Sequence, residues 1–197
     1  IIKKKGLRIL TYNVHYWKDC TMMKDNRNDI IKIIEKLNPD IFFVNEAIYL
    51  YDTKFPPPHC FKDYLIIKTA NKEICKNKFY GNVLFIKNKK INNIISTDII
   101  KIDEETNNEA ILLSYKINSK IINCISSHLN VSDNTGNTRL NETKKIIKYI
   151  QRNNLKNIIW CGDFNCLNLK YITKKQYKYY EEDFIIRFPK LKYKQPY

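Results

Sequence analysis

Residues 7–46 read LRILTYNVHYWKDCTMMKDNRNDIIKIIEKLNPDIFFVNE, and the reading of this stretch decides the fold. Leu7–Val14 is an apolar, β-rich run of the length of a buried strand. A polar stretch follows. Asp25–Leu37 then places Ile30, Ile34 and Leu37 on one helical face, and Asn38-Pro39 stops the helix. Asp40–Val44 is a second short buried strand. Strand, helix and strand in this order form a βαβ-like unit and predict an α/β class.

Beyond this unit, Ala47 to Cys60 contains Phe55-Pro56-Pro57-Pro58 and reads as a loop. Leu65–Thr69, Asn82–Ile86, Ile91–Ile100, Ala110–Ile117 and Lys120–Ser127 read as successive strands, the last two joined by a hairpin turn at Ile117–Lys120. Arg139–Arg152 is a second amphipathic helix, with Leu140, Thr143, Ile147 and Ile150 on one face, and Asn157–Cys161 is a further buried strand. From Tyr171 the chain is basic and rich in tyrosine. Neither an internal repeat nor a domain boundary is visible, so residues 1–197 read as one domain.

With 44% apolar and 13% aromatic residues the chain can bury a substantial core, which excludes a disordered polyelectrolyte. The net charge of +15 is spread along the chain. It suits an anionic partner: nucleic acid, a phosphorylated small molecule or a lipid headgroup. A chain saturated with Lys, Asn and Ile would also carry such a charge by composition alone. The six cysteines form no CxxC pair, which favours reduced thiols and a cytoplasmic or nuclear setting. No apolar run approaches transmembrane length, and the expected state is a monomer.

Four polar clusters sit at the ends of apolar strands: Thr11-Tyr12-Asn13-Val14-His15, Asn45-Glu46, Ser127-His128-Leu129-Asn130 and Gly162-Asp163-Phe164-Asn165. Strand side chains alternate faces, so Asn13 and His15, His128 and Asn130, and Asp163 and Asn165 should share faces wherever the backbone stays extended. Ligands of α/β sheets gather at the carboxyl ends of strands. Four such ends could converge on one pocket of carboxylates, imidazoles and amides. Taken singly, Asn13, Glu46 and His128 are each most simply a strand end, a solvated loop residue and a satisfied buried histidine. Taken in this order, after buried strands, coincidence is hard to sustain.

That inventory suits phosphoryl transfer. Glu46 is the natural ligand for a hard cation such as Mg²⁺, which takes only one or two protein carboxylates. Catalysis then rests on positioning and on neutralising oxygen charge, which Asn13, His128 and Asn165 can supply as donors. Asp163 can orient an attacking water or hold a histidine.

The succession Leu-Thr-Tyr-Asn13, Pro39-Asp40-Ile-Phe-Phe-Val-Asn-Glu46, Gly81-Asn-Val-Leu-Phe, Ser-Ser-His128-Leu and Gly162-Asp163-Phe-Asn165 resembles the endonuclease/exonuclease/phosphatase (DNase I-like) superfamily. The resemblance runs from Leu7 to Asn165 and is most specific at Gly-Asp-Phe-Asn. It implies a four-layered α/β sandwich, with two mixed β-sheets packed face to face and flanking helices. It further implies a Mg²⁺- or Mn²⁺-dependent phosphoesterase with metal on Glu46 and beside Asn13. Asp163 would act on the nucleophile, Asn165 would contact the phosphate and His128 would stabilise the charged transition state. Arg139 would be structural support. Asn45 stands where Gln is commoner. The expected substrate is a phosphodiester in nucleic acid; inositol phosphates and sphingomyelin are the alternatives within the same chemistry.

The pattern departs from the superfamily at the end. Members close with an aspartate and a Ser-Asp-His signature, whereas nothing after Asn165 matches and no histidine follows His128. The C-terminal strands are therefore expected to be missing. A slow hydrolase or a catalytically dead nucleic-acid-binding module follows from that expectation, with His15 a better stand-in base than His59.

Overall fold

The computed structural model describes residues 6–18, 24–50, 61, 63–75, 78–104, 108–131 and 136–165. Its elements run in chain order β1 (Ile9–Asn13), α1 (Arg27–Leu37), β2 (Ile41–Leu50), β3 (Tyr64–Cys75), β4 (Lys78–Lys87), β5 (Ile94–Asp103), β6 (Asn108–Ile117), β7 (Lys120–His128), α2 (Asn137–Arg152) and β8 (Ile158–Asp163). They build two mixed four-stranded sheets, ordered β1-β2-β4-β3 and β5-β6-β7-β8. In each sheet one outer pair is parallel, β1 with β2 and β7 with β8, and the remaining pairs are antiparallel.

Alternation along the central strands explains the layering. In β2, Ile41 and Phe43 point one way and Phe42 and Val44 the other, and all four are buried. Ile41 and Phe43 join Leu84 and Ile86 of β4 against Ile111, Leu113, Tyr115 and Cys124 of the second sheet, forming the core between the sheets. Phe42 and Val44 pack outward with Val83 and Phe85 against Ile30 and Ile34 of α1. On the far side Ile100, Ile102, Ala110, Leu112 and Ile125 pack against Ile146 of α2. Helix, sheet, sheet and helix are thus the four layers. Strands buried on both faces must read as continuous apolar runs, which is why they are visible in the sequence.

Several boundaries differ from expectation. β2 continues through Ala47 to Leu50, so the expected loop from Ala47 begins as strand; a bulge between Val44 and Ala47 interrupts the apolar pattern there. The strand expected at Ile91–Ile100 opens instead as a 3₁₀ turn, Asn88–Asn93. Leu37 is 46% exposed rather than buried with Ile30 and Ile34. The chain leaves the helix there through left-handed Asn38, whose N–H bonds Ile34 O at 2.8 Å.

The buried face of α2 is also not the expected one. Leu140 and Ile147 are exposed, whereas Glu142 and Ile146 are buried and Tyr149 and Ile150 pack beside them. Burying a glutamate rotates the apolar stripe by a residue, for a reason that lies in the site below. The hairpin at Asn118-Ser119 forms as expected, with Asn118 left-handed. No helix among the described residues is long and apolar enough to cross a membrane. The tail from Tyr171, with His59, Cys20, Cys60 and Cys166, lies outside the described residues.

Cys124 and Cys161 are free thiols facing the core between the sheets. Burial pushes them up to about 12 and about 11 respectively. The thiolate is the reactive form, so neither should be alkylated by iodoacetamide at pH 8 in the folded protein, and both should react in urea. Rapid native labelling of either would show that the two sheets part readily.

Gly162 explains why the last motif begins with glycine. Its φ is +124°, and a Cβ there would sit 1.9 Å from the backbone oxygen of Ser127 on β7. No side-chain adjustment relieves a clash with backbone. Gly162→Ala should destabilise the domain by about 3 kcal/mol or more, read by urea denaturation. A loss below about 1 kcal/mol would show that β8 does not hold this register.

Candidate active site

Three strand ends, those of β1, β7 and β8, and a bulge within β2 meet at one edge of the sandwich, and each is bent by a specific constraint. β1 finishes at Asn13, after which His15, Tyr16 and Trp17 all adopt positive φ (43°, 59° and 61°). Left-handed backbone costs roughly 1–2 kcal/mol per non-glycine residue. The turn is held by Asn13 Oδ1, which accepts from His15 N at 2.9 Å, and by Trp17, which is 2% exposed and donates Nε1–H to Ile48 O at 3.0 Å. His15 therefore does not continue the strand, and its shared face with Asn13 does not arise.

In β2 the bulge gives Glu46 a φ of 55°. The neighbouring Asn45 is fully buried and donates Nδ2–H to Asn82 Oδ1 at 2.7 Å. Asn82 in turn donates to the carbonyl of Glu109 at 2.9 Å, joining β4 of one sheet to β6 of the other. An amide relay fastens the bulge that aims Glu46.

β7 delivers His128 and β8 delivers Asp163, paired in parallel register. The segment beyond His128 is secured from α2. Glu142 Oε1 accepts from Asn108 Nδ2 at 2.7 Å and Oε2 accepts from Asn130 N at 2.8 Å, while Asn108 also donates to His128 O at 2.8 Å. Arg139 Nη1 donates to Asn130 O at 3.1 Å, in the supporting place the sequence suggested. A carboxylate receiving these donors must be buried with them, which explains the rotated face of α2. Asn130 is thereby a structural residue here, not a partner of His128 on one face.

Asp163 lies at the centre. Its Oδ2 accepts from Asn13 Nδ2 at 2.8 Å and its Oδ1 from the backbone N of Asn165 at 2.9 Å. Asn165 is left-handed, with a φ of 47°, and donates Nδ2–H to Leu129 O at 2.7 Å. Glu46, His128 and Asp163 each present a ligand atom, all within 4.8 Å of one another. Glu46 Oε1 stands 3.3 Å from His128 Nε2, and both side chains are about nine-tenths buried, at 11% and 13% exposure. Glu46 Oε2 and His128 Nε2 have no hydrogen-bond partner among the described residues.

All five residues named from the sequence are thus placed at one strand-end cluster, whereas His15 is not among the three whose ligand atoms converge. The sequence reading missed Asn82, Asn108, Glu142, Tyr16 and Tyr80. Tyr80, on β4 opposite Ile48, stacks on Tyr16 with ring centroids 5.4 Å apart. Burial raises its phenol well above the usual tyrosine range, and Glu46, Tyr16 and Asp163 push in the same direction.

No family model matches the sequence, and no curated protein does. Solved structures do. A humanised TDP2 from D. rerio superposes with a TM-score of 0.64 at 15% identity, over 82% of this chain and 67% of that one. At this identity the likeness shows the fold alone, which is the DNase I-like α/β fold. The human Nocturnin catalytic domain gives 0.64 at 20% identity over 88% and 68%, and ANGEL2, a 2′,3′-cyclic phosphatase, gives 0.63 at 15% over 89% and 57%. The chain spans about half to two thirds of the length of these superfamily structures, down to 49% for TDP2 from C. elegans. The four layers and two mixed sheets expected from the motifs are therefore the architecture found.

Glu142 supports an isolated prediction. Glu142→Ala removes the acceptor of Asn108 and of the Asn130 N–H in a buried place and should cost about 2–4 kcal/mol by urea denaturation. Wild-type stability in this variant would show that water replaces the carboxylate and that the His128–Asn130 segment is held without it.

Proposed function

We propose that the protein is a divalent-metal-dependent phosphoesterase that hydrolyses a phosphodiester in nucleic acid. The observation that carries this reading is the convergence of Glu46, His128 and Asp163 within 4.8 Å at the strand ends of this fold. The residues fit a cation. Glu46 Oε2 is a buried oxygen with no hydrogen-bond partner among the described residues, which a positive ion would satisfy. Glu46 would hold it, with Asn13 Oδ1 offering the lone pair that His15 N does not use. Carboxylate and carbonyl oxygens suit Mg²⁺ or Mn²⁺. When bound, the metal supplies positive charge to the phosphate oxygens and needs no proton transfer to do so.

The chain's own residues supply the rest. To Asp163, its two oxygens fixed by Asn13 and Asn165, we assign the orientation of a water for attack on phosphorus and the acceptance of its proton. Nδ2 of Asn165 carries a second N–H beyond the one given to Leu129, and we assign that donor to a non-bridging phosphate oxygen. His128, freed from Glu46 when a cation takes the carboxylate, would donate to the oxygen on which charge develops.

The choice of nucleic acid rests on the net charge of +15 and on the fold's neighbours, one of which, D. rerio TDP2, is solved with a single-strand DNA product. We place the protein in the cytoplasm or nucleus and read it as a monomeric single domain.

Glu46→Gln tests the centre. Isothermal calorimetry with Mg²⁺ or Mn²⁺ should show affinity at least about tenfold weaker than wild type, with hydrolysis of bis(p-nitrophenyl) phosphate lost and the thermal transition retained. Equal metal affinity in the two proteins would move the cation site away from Glu46. Oligonucleotide affinity should also fall steeply with salt, as counterion release requires; a flat dependence would remove the nucleic-acid preference.

A further inference from the structure

Tyr16 and Tyr80 come from different elements, one from the left-handed turn after β1 and the other from β4, yet their rings lie nearly parallel, with an interplanar angle of 27°. The pair stands beside the cluster: Tyr80 lies opposite Ile48, two residues beyond Glu46 on β2, and Tyr16 follows Asn13 by three residues. It is not core filling. Trp17 does that work in the same turn, buried at 2% exposure among Val14, Ile30 and Phe61, while Tyr16 is only half-buried. The consecutive left-handed residues therefore send Trp17 into the core and lay Tyr16 on Tyr80. Strained backbone that persists beside catalytic groups is a mark of a functional requirement.

We propose that the Tyr16–Tyr80 stack is a nucleobase platform, on which the base next to the scissile phosphate lies against Tyr16. This rests on the phosphoesterase reading above and deepens it by naming the part of the substrate that the site recognises. Tyr80 stacks on Tyr16, and His15 and Tyr16 make a T-shaped contact with centroids 5.2 Å apart and rings at 61°, so the ring is braced before any ligand arrives. A braced ring loses little freedom on binding, and every base offers a π-face of matching size. An inositol ring has no such face. A choline headgroup is held by ring faces that surround it, whereas two parallel rings present a wall.

The test uses the whole chain with Ca²⁺ in place of Mg²⁺. Fluorescence anisotropy would compare a short labelled single-stranded DNA with the same backbone carrying abasic spacers. Wild type should bind the base-bearing strand about 5- to 100-fold more tightly. Tyr16→Asn, which tolerates the left-handed backbone but removes the ring, should abolish that difference and leave the abasic affinity unchanged. Tyr16→Phe should retain it. Circular dichroism melting confirms that each variant is folded.

A Tyr16→Asn protein that loses affinity for both strands alike, or for neither, overturns the platform. So does competition by phosphocholine that disappears in this variant. If wild type binds neither strand while hydrolysis of bis(p-nitrophenyl) phosphate still depends on Glu46, the phosphoesterase reading stands and the nucleic-acid substrate falls with the platform.

Discussion

The hydrogen bond from Asn13 Nδ2 to Asp163 Oδ2, at 2.8 Å, spans the gap between two sheets that share no backbone pairing. Asn13 ends β1 at the edge of one sheet and Asp163 ends β8 at the edge of the other. Apolar packing between the sheets brings these edges together but is non-directional and sets no angle. A charge-assisted hydrogen bond is directional, and through it the carboxylate meets a defined partner. Asn165 N closes on the other oxygen of Asp163, so the central carboxylate cannot rotate without breaking one of the two bonds.

Around that bond the polar interior works as a scaffold. Asn45 and Asn82 form one relay, and Asn108, Glu142 and Asn130 form another. One fastens the bulge that carries Glu46; the other fastens the segment that follows His128. Within the two relays each amide or backbone donor named above meets an acceptor, and the cost of leaving a buried polar group unpaired makes the arrangement specific. Glu46 Oε2 and His128 Nε2 are among the buried atoms without a hydrogen-bond partner among the described residues, and both belong to the three side chains whose ligand atoms converge.

Left-handed backbone recurs at the same edge: His15, Tyr16 and Trp17 after β1, Glu46 in β2, Gly162 in β8 and Asn165 beyond it. An extended strand would alternate its side chains and send half of them away from the site. Each positive φ interrupts that alternation. This is why face-sharing inferred from period two fails at His15, although Asn13, Glu46, His128 and Asp163 do converge.

The apolar runs of the chain were enough to reveal the layers and the polar clusters that interrupt them. Central strands buried on both faces must be unbroken apolar runs, and a polar cluster after such a run marks the end of β1, β7 and β8 and the bulge in β2, so Asn13, Glu46, His128, Asp163 and Asn165 stand out along the chain. Gly162 belongs with them, because only glycine fits against Ser127. Tertiary structure alone decided which side chains fill and brace the site. Glu142 reads as an exposed helix residue until Asn108 and Asn130, from other elements, require an acceptor. Tyr80 reads as one of 14 tyrosines until a left-handed turn lays Tyr16 on it. Hydrophobic periodicity is a local property of a chain, whereas the pairing of two distant polar or aromatic groups depends on the angle at which packed elements meet.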